Sequence, residues 1–390
     1  MTTSMVCPAC GSSDISPFYV VSNVPVSSCM LLDDAAAARA FPCGDLRLAV
    51  CECGFITNAA FDANLLNYSQ DYEETQGFSP RFRSYMTELA SEWVARYKLA
   101  GKTAVEIGCG KGEFLAELLR RGVGHGVGID PSVRLERVDP ALNDRVTWIS
   151  GMFPADYPVL DCDAVVCRHT LEHIAPVREF LRSIRQAIGA RTETVVLFEV
   201  PDTQRILEEG AFWDVYYEHC SYFSVGSLGA LFRRTGFEPL SVRRTYEDQY
   251  LVIEARPTAP EPAAVASDRE IIRTAAHIFS DTQQKETQRW RDRVRRVAAS
   301  GGSTVLWGAS SKAVAFLSAL GDQAGNVAAA VDINPYKQGY YLAGTGLRVG
   351  DPKELLDIRP DLVVAMNPVY LDEIDAGLAS LGITTTLEAL

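Results

Sequence analysis

A glycine-rich turn between two acid-tipped strands constrains this chain more than any other feature. Residues 104–112 read Ala-Val-Glu-Ile-Gly-Cys-Gly-Lys-Gly, and residues 126–130 read Gly-Val-Gly-Ile-Asp. An apolar strand carrying Glu106 runs into a loop where Gly108, Gly110 and Gly112 permit positive φ and close approach of a ligand. A helix is expected to begin near Glu113. The second strand ends in Asp130, whose carboxylate can accept both ribose hydroxyls of a nucleoside. The Gly-x-Gly-x-Gly spacing, with an acid ahead of it, lacks the pyrophosphate cradle of the Gly-x-Gly-x-x-Gly kind. It points to S-adenosylmethionine rather than NAD, with Glu106, Gly108, Gly110 and Asp130 as cofactor-binding candidates.

Strands are expected at 103–107, 126–129, 146–149, 163–167 and 194–199, separated by helical segments, and such alternation makes a parallel sheet. Two further strands at 238–243 and 249–256 are close enough to pair as an antiparallel ribbon, an ending common in methyltransferases. Met152 and Phe153, after the third strand, are candidates for adenine contact. Arg168, after the fourth, stands where the methionine end of the cofactor is expected. Ahead of the core, residues 68–77 are aromatic and acidic without a period, as in a loop serving a site. Phe82, Tyr85, Met86, Leu89, Trp93 and Val94 then mark a helix capped at Ser79-Pro80.

A chain of 390 residues, 47% hydrophobic, has room for several cores. Residues 258–266 form a Pro/Ala linker and residues 267–299 one long charged helix. A second strand, turn and helix follows from Thr304 through Gly308 to Phe316, and another strand ends in Asp332. This is a second Rossmann-like unit, and Ser310, Ser311 and Lys312 at its helix start suit a phosphate.

Six of the ten cysteines fall within the first 53 residues, a density that suits a metal better than disulfides in a reducing compartment. Cys7 and Cys10 form one half of a zinc knuckle; Cys51 and Cys53 offer the other at a spacing one residue short, so Cys43 or Cys29 is an alternative ligand. The net charge of −13 and the lack of a basic stripe argue against nucleic-acid partners. No apolar run approaches the length of a spanning helix, and the amino terminus lacks a signal-like pattern. The expectation is a cytoplasmic protein with no membrane partner.

The second informative stretch is Tyr216-Tyr217-Glu218-His219-Cys220-Ser221-Tyr222-Phe223-Ser224. His219 offers a base near physiological pH, Glu218 a carboxylate, and Tyr216 a phenol donor for a developing oxyanion. Arg168-His169-Thr170-Leu171-Glu172-His173 places two histidines at helical spacing, but spacing alone supplies no third ligand for a metal.

Together, this Tyr-x-Glu-His-x-x-Tyr-Phe-Ser pattern, the amino-terminal Cys-x-x-Cys, the Glu106 turn, Asp332-Ile-Asn-Pro and Met366-Asn-Pro-x-Tyr370 resemble the deoxysugar C-methyltransferase family over nearly the whole chain. The turn departs from the Ser-Asn-Asp-Gly version favoured there. The resemblance implies an α/β architecture: a zinc-binding amino-terminal domain (1–66), a class I methyltransferase Rossmann-like core (67–257), a linker and long helix (258–299), and a Rossmann-like carboxy-terminal domain (300–390). It implies methylation of a carbon beside the ketone of a nucleotide-linked 4-keto-deoxysugar in natural-product biosynthesis. His219 would be the base, with Tyr216, Glu218, Tyr72 and His173 on the substrate side, and S-adenosylmethionine and Zn2+ as cofactors. O- or N-methylation of another small metabolite, or a non-catalytic cofactor-binding scaffold, are the rival readings.

Overall fold

The computed structural model describes residues 5–66, 71–137 and 139–390. Tyr68, Ser69 and Gln70 of the aromatic and acidic stretch therefore lie outside the described residues. The amino-terminal sheet is antiparallel, built from β1 (Ile15–Pro25), β2 (Cys43–Cys51) and β3 (Ile56–Asn58). Leu46, Leu48 and Val50 alternate along β2 and bury one face.

The central sheet starts with five parallel strands: β4 (Thr103–Ile107), β5 (His125–Ile129), β6 (Val146–Ile149), β7 (Ala164–Arg168) and β8 (Val195–Pro201). The chain then leaves it for β9 (Ser221–Tyr222), which pairs with β3 of the amino-terminal sheet. It returns as the expected ribbon of β10 (Phe237–Thr245) and β11 (Tyr250–Pro257), with β11 antiparallel to β8. The order is β10-β11-β8-β7-β4-β5-β6, the arrangement of a class I methyltransferase. Successive residues of these strands pack on opposite sides. Val105, Val165 and Val196 meet the helices Val177–Ile188 and Val225–Arg234, while Ala104, Val166 and Leu197 meet Pro80–Arg96 and Glu113–Arg120. Burial on both faces explains why the strands read as nearly continuous apolar runs. The Pro80–Arg96 helix starts as its sequence predicts, with Ser79 Oγ accepting from the Phe82 N–H at 3.2 Å.

The carboxy-terminal sheet is wholly parallel, with β12 (Thr304–Trp307), β13 (Val327–Val331), β14 (Val349–Gly350), β15 (Leu362–Ala365) and β16 (Thr386–Ala389) in the order β14-β13-β12-β15-β16. The 31-residue helix Arg269–Ala299 braces the molecule. Its Phe279 meets Tyr19 edge-on at 5.0 Å, and its Trp290 meets Phe316 at 5.5 Å, so one apolar cluster runs from the amino-terminal sheet into the carboxy-terminal one. No helix among the described residues is long and apolar enough to cross a membrane. The carboxyl ends of β4, β5 and β7 and those of β12 and β13 open on one cavity of about 1140 Å³. Parallel sheets place ligands at such ends.

Candidate active site

At one end of the cavity the glycine turn has the form that its sequence requires. Gly108 and Gly110 take φ of 72° and 52°, and a Cβ on them would stand 2.0 Å from Thr170 Oγ1 and 2.5 Å from Glu74 Oε1. Asp130 holds the turn, accepting from the Gly110 N–H at 3.0 Å through Oδ2 and from the Ser132 N–H at 2.7 Å through Oδ1. Glu106 is 2% exposed and its Oε2 has no hydrogen-bond partner among the described residues. Burial pushes its carboxyl up to about 8 against the opposing charge of Arg168. A glycine cradle, an orphan buried carboxyl oxygen and an acid at the next strand tip fit a ligand that carries an ammonium group and ribose hydroxyls. Met152, half exposed, and Phe153, packed edge-on against Phe180 at 6.0 Å, line the same end. Arg168 also lines it, but its guanidinium is paired with Glu199 at 2.8 Å and lies 4.2 Å over the Phe114 ring.

Further along, Tyr72, His173, Tyr216 and His219 all line the cavity. The His219 ring stands 4.7 Å from Tyr216 and 4.8 Å from His173, edge-on to both. Burial, helped by His173, lowers His219 to about 3, so its imidazole is neutral. The Tyr216 hydroxyl donates to Asp214 Oδ1 at 3.0 Å. Tyr72 presents its carbonyl to Lys111 Nζ at 2.9 Å, tying the segment before the core to the glycine turn.

Glu218 departs from the expectation that it shares this pocket. It is 1% exposed and does not line the cavity; its carboxylate accepts from the Ser28 N–H at 3.0 Å and from the Ser28 hydroxyl. The segment leading into β9 is pinned to the amino-terminal sheet, so Tyr216 and His219 turn inward and Glu218 turns outward. The phosphate candidates are also engaged. Lys312 is ion-paired with Asp214, and Ser310 Oγ and Ser311 Oγ each lie 3.2 Å from Cys29 Sγ.

Cys7, Cys10, Cys51 and Cys53 come together, their sulfurs all within 4.8 Å of one another. Cys7 Sγ lies 3.8 Å from Cys53 Sγ, and Cys10 Sγ 3.5 Å from Cys51 Sγ. Sulfurs on a tetrahedral zinc ion stand roughly 3.8 Å apart, given Zn–S bonds of about 2.3 Å. The donor set therefore fits zinc. Gly11 and Gly54 follow the two pairs at φ of 84° and 85°, closing both turns; the shorter pair folds back through the Gly54 N–H to the Cys51 carbonyl at 2.9 Å. Cys29 lies instead at the cavity, and Cys43 opens β2 with its thiol 3.4 Å from the Phe41 carbonyl.

Several groups at the site had no role assigned from sequence. Glu172, within the Arg168 to His173 stretch, is buried beside His173 and His219, a neighbourhood that only folding creates. His169 is held by Glu199 at 2.6 Å. Glu74 overhangs Gly110, with its carboxyl raised to about 7 by burial.

Residues 82–242 match the model of a methyltransferase domain, and residues 269–383 match that of a C-methyltransferase C-terminal domain. The chain is 26% identical over 395 residues to the C-methyltransferase NovU of Streptomyces niveus, covering 94% of this chain and 90% of that relative. The mitochondrial ubiquinone biosynthesis O-methyltransferase of Schizosaccharomyces pombe is 29% identical over 110 residues, 27% of this chain and 39% of its own length. Among solved structures, the N,N-8-amino-8-demethyl-D-riboflavin dimethyltransferase of Streptomyces davawensis is 25% identical, covers 45% of this chain and 56% of its own, and superposes with a TM-score of 0.37.

Proposed function

Because the chain belongs to the S-adenosylmethionine-dependent C-methyltransferases, we propose that it deprotonates the carbon beside a ketone and methylates the resulting enolate. The substrate class we assign is a nucleotide-linked 4-keto-deoxysugar, as part of natural-product biosynthesis. A C-methyltransferase relative aligned over most of both chains supports this reading. So does the observation that carries it: a neutral, cavity-facing His219 shares one continuous space with the glycine turn.

Carbon is a poor nucleophile until its proton is removed, and a ketone's α-proton leaves only if the oxygen's growing charge is met. His219 takes that proton on a ring nitrogen, the C–H electron pair becomes the bond between the α-carbon and the carbonyl carbon, and the carbonyl π pair moves onto the oxygen. The nearby Glu172 carboxylate stabilises the imidazolium that forms. Tyr72 is the phenol assigned to the enolate oxygen; the Tyr216 proton is given to Asp214, and its ring packs edge-on against His219 and fixes the orientation of that imidazole. Glu106 receives the ammonium group of the cofactor, the Gly108 to Gly110 backbone lies against it, and Asp130 receives its ribose. S-adenosylmethionine, when bound, supplies an electrophilic methyl group on a sulfonium centre. The walls of the carboxy-terminal sheet, from Trp307 to Lys312 and at Asp332 to Asn334, give the nucleotide its space.

The same reading assigns Zn2+ to Cys7, Cys10, Cys51 and Cys53 in a structural role. Metal analysis of protein purified without added zinc is expected to find about one equivalent per chain, and less than a tenth of that would refute the assignment. For the reaction, substrate in deuterium oxide is expected to exchange its α-proton without cofactor. His219→Ala is expected to lower exchange and methylation by about a hundredfold to ten-thousandfold. Mass spectrometry and NMR of reactions with TDP-4-keto-deoxysugars read both. Undiminished exchange in the variant removes His219 as the base, and failure to methylate any such sugar removes the substrate class.

A further inference from the structure

Glu172, His173 and His219 each offer one ligand atom to the cavity wall, and the three atoms lie within 4.8 Å of one another. The first two follow β7, while the third comes from the segment before β9, so only folding assembles the trio. We propose that it is a second divalent transition-metal site, separate from the four cysteines, and that an ion bound there inhibits the enzyme by occupying the lone pair of His219. The inhibitory half rests on the reading of His219 as the base; the binding half stands on the geometry alone.

Two imidazoles and one carboxylate form a donor set that favours zinc, cobalt or nickel over magnesium or calcium. Glu172 is 2% exposed, and its Oε2 is buried with no hydrogen-bond partner among the described residues. A carboxylate oxygen left so is costly unless a cation meets it. Its other oxygen faces His169 Nδ1 at 3.8 Å, and His169 is anchored in turn by Glu199, so the carboxylate is oriented from behind as metal-ligating carboxylates commonly are. The His173 and His219 rings cross at 88°, which lets ring nitrogens converge without stacking. Ligands on a tetrahedral ion stand roughly 3.4 Å apart, given bonds of about 2.0–2.1 Å.

The test begins with full-length protein already loaded with zinc at its cysteines, titrated with Co2+. Visible absorption and metal analysis after desalting count what binds. Wild type is expected to take up one further equivalent. Glu172→Gln and His173→Ala are expected to bind it at least about tenfold more weakly, since loss of an outer partner alone costs that much, and to keep the cysteine-bound zinc, which shows them folded. No second equivalent, or one that persists undiminished in both variants, overturns the site. With added Co2+ or Zn2+, exchange and methylation by wild type are expected to fall in step with occupancy; binding without loss of rate overturns the inhibitory half. Because the metal count needs no substrate, it decides the site even if the sugar reading fails.

Discussion

Glu106, next to last in β4, has one carboxyl oxygen buried with no hydrogen-bond partner among the described residues, and its carboxyl is raised to about 8 from the ordinary 4.5. A folded-state value above the unfolded one means that the folded chain holds a proton the unfolded chain has released. Stability contributed by that proton is complete below about 4.5 and is lost as pH rises through about 8. Glu106→Gln is therefore expected to gain stability on wild type progressively from pH 5 to pH 8 and to hold the gain above it, read by chemical denaturation across pH. In the proposed reading the same substitution removes the carboxyl that would ionise against the cofactor's ammonium group, so S-adenosylhomocysteine is expected to bind about tenfold or more weakly by calorimetry. Glu106 and Asp130 were legible as candidates for cofactor binding because each sits near a strand tip beside a glycine turn. Glu172 was not, since an acid between a leucine and a histidine carries no signal until His219 is brought beside it.

At the scale of elements, β9 links two parts of the chain that sequence separates widely. Its two residues pair with β3, Thr57 Oγ1 donates to the Cys220 carbonyl at 2.8 Å, and Ser28 holds Glu218. β3 begins just beyond Cys53, so the cysteine cluster anchors the strand against which the His219 segment is laid. Removing the proposed zinc by chelation, or one of its thiolates by Cys10→Ser, is expected to loosen this segment before the central sheet. Hydrogen exchange should accelerate at residues 216–224 while β4, β7 and β8 remain protected, and kcat should fall more than cofactor affinity. Uniform acceleration through the whole chain would show that the cluster stabilises the fold without a particular hold on the site.

At the scale of the molecule, the helix Arg269–Ala299 and the paired amides of Gln249 and Asn367, which exchange hydrogen bonds at 2.8 and 2.9 Å, hold the carboxy-terminal sheet over the cavity. Trp290 is fully buried where that helix meets Phe316. Trp290→Ala is expected to cost about 3–5 kcal/mol of stability, the range for removing a large buried aromatic side chain, measured as a shift in the denaturant midpoint at constant slope. The long charged helix could be read from its composition, but its role as a brace could not. Its apolar residues are spaced widely, and each set is meaningful only beside the sheet it covers.

Sequence alone determined the features governed by neighbours along the chain: the parallel strands with their apolar runs, the antiparallel ribbon, the Ser79-Pro80 helix start, and the glycines whose positive φ the turn needs. Tertiary structure decided which way side chains face and what meets across long separations. With β9 paired to β3 and Glu218 held by Ser28, Tyr216 and His219 face the cavity and Glu218 is turned out of it. The tertiary fold also separates Cys29 and Cys43 from the four clustered cysteines, and engages Lys312 with Asp214. Those outcomes depend on distances between segments that no local pattern encodes.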